Sequence, residues 1–131
     1  MALEALKYNA TLLLVVLASD NQNTHALSGV RILELGQIIA GTYGSQLLSD
    51  LGAEVIKIEP PNVDLGRLTS IAPYRGQSGL FLTFNRNKKS MVINLKSDKG
   101  LKIFYDLVKI SDVVVDNFRP GVLEKLKIDY Q

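Results

Sequence analysis

"VRILELGQIIAGTYGSQLLSDLGAEVIKIEPP", Val30 to Pro61, carries the decision about the fold. Val30 to Leu35 is a short apolar run stopped by Gly36, the pattern of a buried strand. From Ala40 to Leu51 the apolar positions Ala40, Tyr43, Leu47, Leu48 and Leu51 recur at helical spacing, and Gly52 stands where a helix C-cap needs positive φ. This spacing predicts a helix of about three turns. Glu54 to Glu59 then places Val55, Ile56 and Ile58 in a run suited to a sheet covered on both faces, and Pro60-Pro61 ends it because proline has no N–H for the ladder. Strand, helix, strand is a βαβ unit.

Further along, Met91 to Leu95 reads as another strand, and Ser97 or Asp98 can cap a helix with Leu101, Phe104, Tyr105 and Val108 on its apolar face. Asp112 to Asp116 frames Val113-Val114-Val115, expected to be a third buried run. Such alternation predicts an α/β fold: a mostly parallel, Rossmann-like sheet with helices on both faces. The stretch Asn62 to Gln77, with its glycine, proline and polar residues, is expected to be an exposed loop where such sheets hold ligands.

Residues before this domain differ in character. The apolar run Leu12 to Ala18 is far short of the 20 or so residues that a membrane span needs. Glu4 beside Lys7 spoils the basic leader of a secretory signal, and a cleavage site is only weakly suggested around Ala18 to Ser19. The sequon Asn9-Ala10-Thr11 lies in or beside the apolar run. Ser19 to Asn23 reads as a linker, so residues 1–26 are assigned as extension and linker and residues 27–131 as the domain.

Composition bounds the chemistry. A chain of 131 residues, 47% hydrophobic, supports one compact core. Its 15 basic and 13 acidic side chains are spread along the sequence, so neither nucleic acid nor a membrane surface is an expected partner. With no cysteine there is no disulfide framework, thiolate nucleophile or thiolate metal ligand, and a reducing compartment fits. His25 is the only histidine and sits in a polar, loop-like stretch, a poor foundation for a Ser-His-Asp triad or a multi-histidine metal site.

A dinucleotide-binding reading would use the first strand-helix turn for pyrophosphate and Glu59 for a ribose hydroxyl. Gly36, Gly41 and Gly44 have the wrong spacing for that fingerprint, whose first two glycines are separated by one residue. Close helix-sheet packing explains Gly41 and Gly44 better. Two runs are more specific. "NRNKKS", Asn85 to Ser90, is a basic turn leading into a strand, and "DNFRPG", Asp116 to Gly121, offers an amide, an aromatic face and a cation at a strand end, with Pro120 suited to the first turn of a helix. Phe118 could stack on adenine or simply pack in the core.

Taken together, "LSGVRILELGQIIAGTYGSQLLSDLGAEVIKIEPP", "NRNKKSMVINLKSDKG" and "SDVVVDNFRPGVLEKL" resemble the N-terminal part of the family III CoA-transferases, the group of formyl-CoA transferase, carnitine CoA-transferase and α-methylacyl-CoA racemase. The resemblance runs from Leu27 to about Tyr130, with the motifs in family order. It implies a CoA-binding, Rossmann-like partial domain of a larger subunit that interlocks with a second subunit. CoA contacts carried over by resemblance fall on Ile39, Ile93, Lys96, Asn117, Phe118 and Lys125, and Arg119 matches an arginine of the racemase branch. The family's frequent arginine after the second strand is Pro60 here, and Ile39 replaces the glutamine of formyl-CoA transferase, so weaker phosphate binding and a different acid are expected.

The resemblance also implies CoA thioester and carboxylic acid as substrates, no metal, and an aspartate nucleophile that forms an aspartyl-CoA thioester. That aspartate lies beyond the matched region, so no catalytic residue is assigned within this chain, and the chain alone is expected to be inactive. The location implied is cytoplasmic, or mitochondrial or peroxisomal in a eukaryote. A stand-alone nucleotide- or CoA-binding module without catalysis is the competing reading.

Overall fold

The computed structural model describes residues 25–69 and 71–130. The readings made for residues 1–24, including the signal, sequon and linker, lie outside them. The elements are β1 (Arg31–Glu34), α1 (Ala40–Asp50), β2 (Glu54–Glu59), α2 (Leu65–Leu68), α3 (Gly79–Phe84), β3 (Lys89–Val92), α4 (Asp98–Val108), β4 (Val113–Val115) and α5 (Val122–Leu126). The strands form one sheet in the order β3-β2-β1-β4, and every pairing is parallel. From β1 the chain winds outward through β2 and β3, then crosses back to place β4 on the other side of β1. The strand order therefore reverses between β1 and β4, creating the crevice at strand C-termini that open α/β sheets use for ligands.

Side-chain alternation along the central strands supplies both faces. Leu33 and Ile58 join Leu35, Ile93 and Phe104 in the cluster beneath α4, while Ile32 and Val55 join Ala53 and Leu48 beneath α1. Gly52, at φ +100°, ends α1 as expected. Its N–H donates to Ser49 O at 3.0 Å and the Ala53 N–H donates to Leu48 O at 3.1 Å, the paired bonds of a Schellman cap. A side chain at this position would collide with His25.

The structure turns α1 over relative to its apolar periodicity. Gly41, Thr42, Ser45, Gln46 and Ser49 face inward, whereas Tyr43, Leu47 and Leu51 are about half exposed, at 48%, 46% and 50%. The reason lies in the strands. Past Ile32 and Val55, the same sheet face carries Glu34 and Lys57, and only a small, polar helix stripe can lie against those charges; Ser45 Oγ donates to Glu34 Oε2 at 2.7 Å.

Other boundaries shift too. The strand expected over Met91 to Leu95 runs instead over Lys89–Val92, with Ile93 buried just after it. Val113-Val114-Val115 is a strand but not a buried one, because β4 is a sheet edge with Val113 and Val114 exposed. In α4, Phe104 is buried as expected and Tyr105 is exposed, with its hydroxyl donating to Lys127 O. Ser97 is its cap, accepting the Gly100 N–H at 3.1 Å. Pro120 precedes the Gly121 N-cap of α5 rather than opening the helix. The described residues from Asn62 to Gln77 are mostly exposed, as expected, but the stretch is anchored at the short helix α2, where Asp64 is the cap and is itself buried. Helix α3, capped by Ser78, is too short at six residues to show an apolar periodicity in the sequence. Among the described residues, no helix is long and apolar enough to cross a membrane.

Candidate functional site

The β1–α1 turn occupies the crevice where the strand order reverses. Gly36 allows it to close, since a Cβ there would lie 3.0 Å from the Gly41 carbonyl carbon. Asn117, just beyond β4, reaches across: its Oδ1 accepts the Gln37 N–H at 2.9 Å and its Nδ2 donates to Gln37 O at 3.0 Å. Ile38 follows in the left-handed region at φ 64°, an uncommon conformation for a β-branched residue. Ile39, the α1 N-cap, has no side-chain oxygen to bond the first helical N–H groups.

Beneath this turn lies a buried charge network. Lys57 donates to Glu34 Oε1 at 2.9 Å and Gly36 O at 2.6 Å, and pairs with Asp64 Oδ2 at 3.0 Å. Lys88, from the α3–β3 turn, donates to Glu34 Oε2 and to Thr42 O, both at 2.7 Å. Two ammonium groups thus face the carboxylates of Glu34 and Asp64, so the core remains neutral as a set. Burial pushes the Glu34 carboxyl up, but the Lys57 charge and hydrogen bonds from Lys57, Lys88 and Ser45 outweigh it and hold the group below its ordinary value. For Lys88, burial dominates and draws the ammonium below the usual lysine value. Glu59 belongs to an adjoining pair. Arg67 takes both its oxygens, Ser90 Oγ adds a bond at 2.6 Å, and the Arg67 hydrogen bonds hold Glu59 below the ordinary carboxylate range. These bonds occupy the group that a dinucleotide reading would reserve for ribose.

On the α4 side of the strand ends opens a cavity of about 540 Å³, within the size range of small-molecule sites. Leu35, Ile58 and Ile93 supply its apolar walls; Pro60 and Pro61 close one side, and Lys96 and Lys125 contribute cations. Four of the sequence-assigned residues, Ile93, Lys96, Phe118 and Lys125, meet here from the β3–α4 connection, the β4–α5 connection and α5. Phe118 packs on the core cluster and also lines the cavity, so core packing and an exposed ring face coexist. Lys96 and Lys125 are exposed, and neither ammonium has an ion pair among the described residues. Ile39, Asn117 and Arg119 do not line the cavity: Ile39 is exposed at the neighbouring turn, Asn117 is engaged with Gln37, and Arg119 is exposed. No group of His, Cys, Asp and Glu among the described residues could hold a metal ion.

A family model for CoA-transferase family III matches residues 27–131. The chain belongs to this family. Among curated relatives, human succinyl-CoA:glutarate CoA-transferase is 42% identical over 114 residues, covering 86% of this chain and 26% of the human protein. Acetyl-CoA:oxalate CoA-transferase of Acetobacter aceti is 40% identical over 104 residues, covering 79% of this chain and 26% of its own length. In three dimensions the chain is similar to a CAIB/BAIF family protein from Brucella suis, at TM-score 0.74 and 37% identity, covering 80% of this chain and 29% of the other. The chain therefore spans about a quarter of the length of these curated family members. Its four-stranded parallel sheet is a partial domain on that scale.

Sequence reasoning did not find Lys57, Asp64 and Arg67; it singled out the basic turn Asn85 to Ser90 that carries Lys88, but not that Lys88 turns inward to Glu34. The Asp64-Leu65-Gly66-Arg67 run did carry one signal, a helix-capping aspartate followed by a basic residue in the same turn.

Proposed function

We propose that this chain is the CoA-binding portion of an acyl-CoA:carboxylate CoA-transferase, with the cavity beside Phe118 as the seat of the adenine end of CoA. The observation carrying this is the convergence of Ile93, Lys96, Phe118 and Lys125 from separate segments on one cavity at the strand C-termini. An apolar wall with an aromatic face suits a purine, and two exposed cations with no ion pair among the described residues suit phosphate oxygens. Pro60 offers no cation, so the lysines supply the attraction.

In the full-length enzyme, an aspartate outside this chain attacks the acyl-CoA carbonyl and releases CoA thiolate, leaving a mixed anhydride. Thiolate attack on the aspartyl carbonyl then releases the donor acid and leaves an aspartyl-CoA thioester. The incoming carboxylate attacks that thioester and displaces the thiolate, giving a second anhydride, and thiolate attack on its incoming-acyl carbonyl restores the aspartate. This chain's share is to hold the nucleotide end while the thiol end reacts elsewhere. The full-length subunit is proposed to pair with a second copy, in keeping with the apolar helix stripe left uncovered at Tyr43, Leu47 and Leu51.

Calorimetric titration with CoA and with NAD tests the assignment. Binding of CoA in preference to NAD, weakened by Phe118→Ala, is the expected result; tighter binding of NAD would replace this reading with a dinucleotide site.

A further inference from the structure

We infer that Lys57 and Asn117 are positioning residues that clamp the β1–α1 turn from two sides and so set the shape of the switch-point crevice. The inference rests on the CoA-binding reading for its consequence, but its geometry stands apart from it. Lys57 is 1% exposed, and its ammonium has a separate acceptor in each of three segments: Glu34 on β1, Gly36 in the turn, and Asp64 in the β2–α2 connection. A buried carboxylate pair alone would neutralise this cation. The 2.6 Å bond to Gly36 O adds a hold on the backbone of the turn itself, where the start of α1 at Gly41 and Thr42 comes so close that a Cβ on Gly36 would lie 3.0–3.1 Å from it.

Asn117 holds the next residue. Its amide bonds both the N–H and the C=O of Gln37, substituting for a strand partner at the point where β1 and β4 diverge. Between these holds and α1 lies Ile38 at φ 64°, a strained conformation for a β-branched residue that persists only where its surroundings fix it. The clamp supplies that fixation.

If CoA requires the turn in this conformation, loosening it lowers the competent fraction and weakens binding in proportion. Asn117→Ala removes one hold at an exposed position without disturbing the buried charges. Lys57→Met combined with Asp64→Asn removes the other while leaving Glu34 paired with Lys88, and Asp64→Asn alone is its control. The full 131-residue chain is used, with amide hydrogen exchange over Gln37 to Thr42 read beside CoA affinity and melting temperature.

The clamp predicts faster exchange across the turn in Asn117→Ala and in the double variant, with CoA affinity lowered about tenfold if the competent fraction falls to a tenth. Asp64→Asn alone leaves the turn protected. Folded Asn117→Ala with unchanged turn exchange overturns the proposal, whatever the fate of the double variant. Faster exchange with unchanged CoA affinity overturns the link to binding. A wild-type chain that does not bind CoA defeats the functional reading, while exchange still decides the clamp.

Discussion

Arg67 holds Glu59 in a fork, with Nε at 2.7 Å and Nη2 at 2.8 Å from the two carboxylate oxygens, and its guanidinium lies 3.7 Å from the Phe81 ring centroid. Glu59 is 3% exposed, so the charge at the end of β2 depends on this partner rather than on water. The pair also ties α2 and α3 to the sheet. Arg67→Ala is expected to cost about 2–3 kcal/mol, less than the roughly 3–5 kcal/mol of a fully buried pair because the arginine side chain is itself part-exposed. Arg67→Lys, keeping charge but losing the fork and the ring contact, should cost less, about 1 kcal/mol. Urea unfolding measures both.

The same pair makes an acid limb. Glu59 and Glu34 both lie below their ordinary 4.5 in the folded chain, so the unfolded state binds protons first as pH falls. Their contribution is complete above that ordinary value and is lost as pH falls through the folded values. The urea midpoint should therefore hold steady down to about pH 5 and decline below it. In Arg67→Ala the decline should be shallower, since the principal cause lowering Glu59 is gone.

Face reversal in α1 gives a paired test. Leu47→Lys should change stability by less than about 0.5 kcal/mol, as at an ordinary surface site. Ser45→Leu should cost about 2 kcal/mol or more, because the larger side chain meets the sheet and Glu34 loses a hydrogen bond. A helix buried by its apolar periodicity would give the opposite order. Sedimentation across a concentration series should also show self-association of the wild-type chain, reduced by Leu47→Lys, as expected for an exposed apolar stripe.

How much of this was legible depends on distance along the chain. Val30 to Leu35, the helix ending at Gly52 and the β-branched run to Glu59 all declare themselves within a few residues, and the structure places them as read. The inward face of α1 is set by Glu34 and Lys57, which periodicity within the helix does not register. Val113 to Val115 looks like an interior strand because its sequence contains no record of being an edge in the portion of the fold present. Asn62 to Gln77 looks open because its anchors, Asp64 and Arg67, pair with residues of the preceding strand. At the site, Ile93, Lys96, Phe118 and Lys125 came from resemblance, and only the crossover that puts β4 beside β1 explains why they share a cavity. The Asn117 and Gln37 contact, across 80 residues, had no local signal.

CoA affinity as a function of salt, measured by titration calorimetry on wild type, Lys96→Ala and Lys125→Ala, tests the central claim most directly. Exposed lysine-phosphate contacts are screened over about 8 Å at physiological ionic strength, so wild-type affinity should fall steeply as salt rises. Each substitution should weaken binding by about 1 kcal/mol, roughly fivefold, and flatten the salt dependence. Unchanged CoA affinity in both variants would contradict the account and remove the cavity as the site.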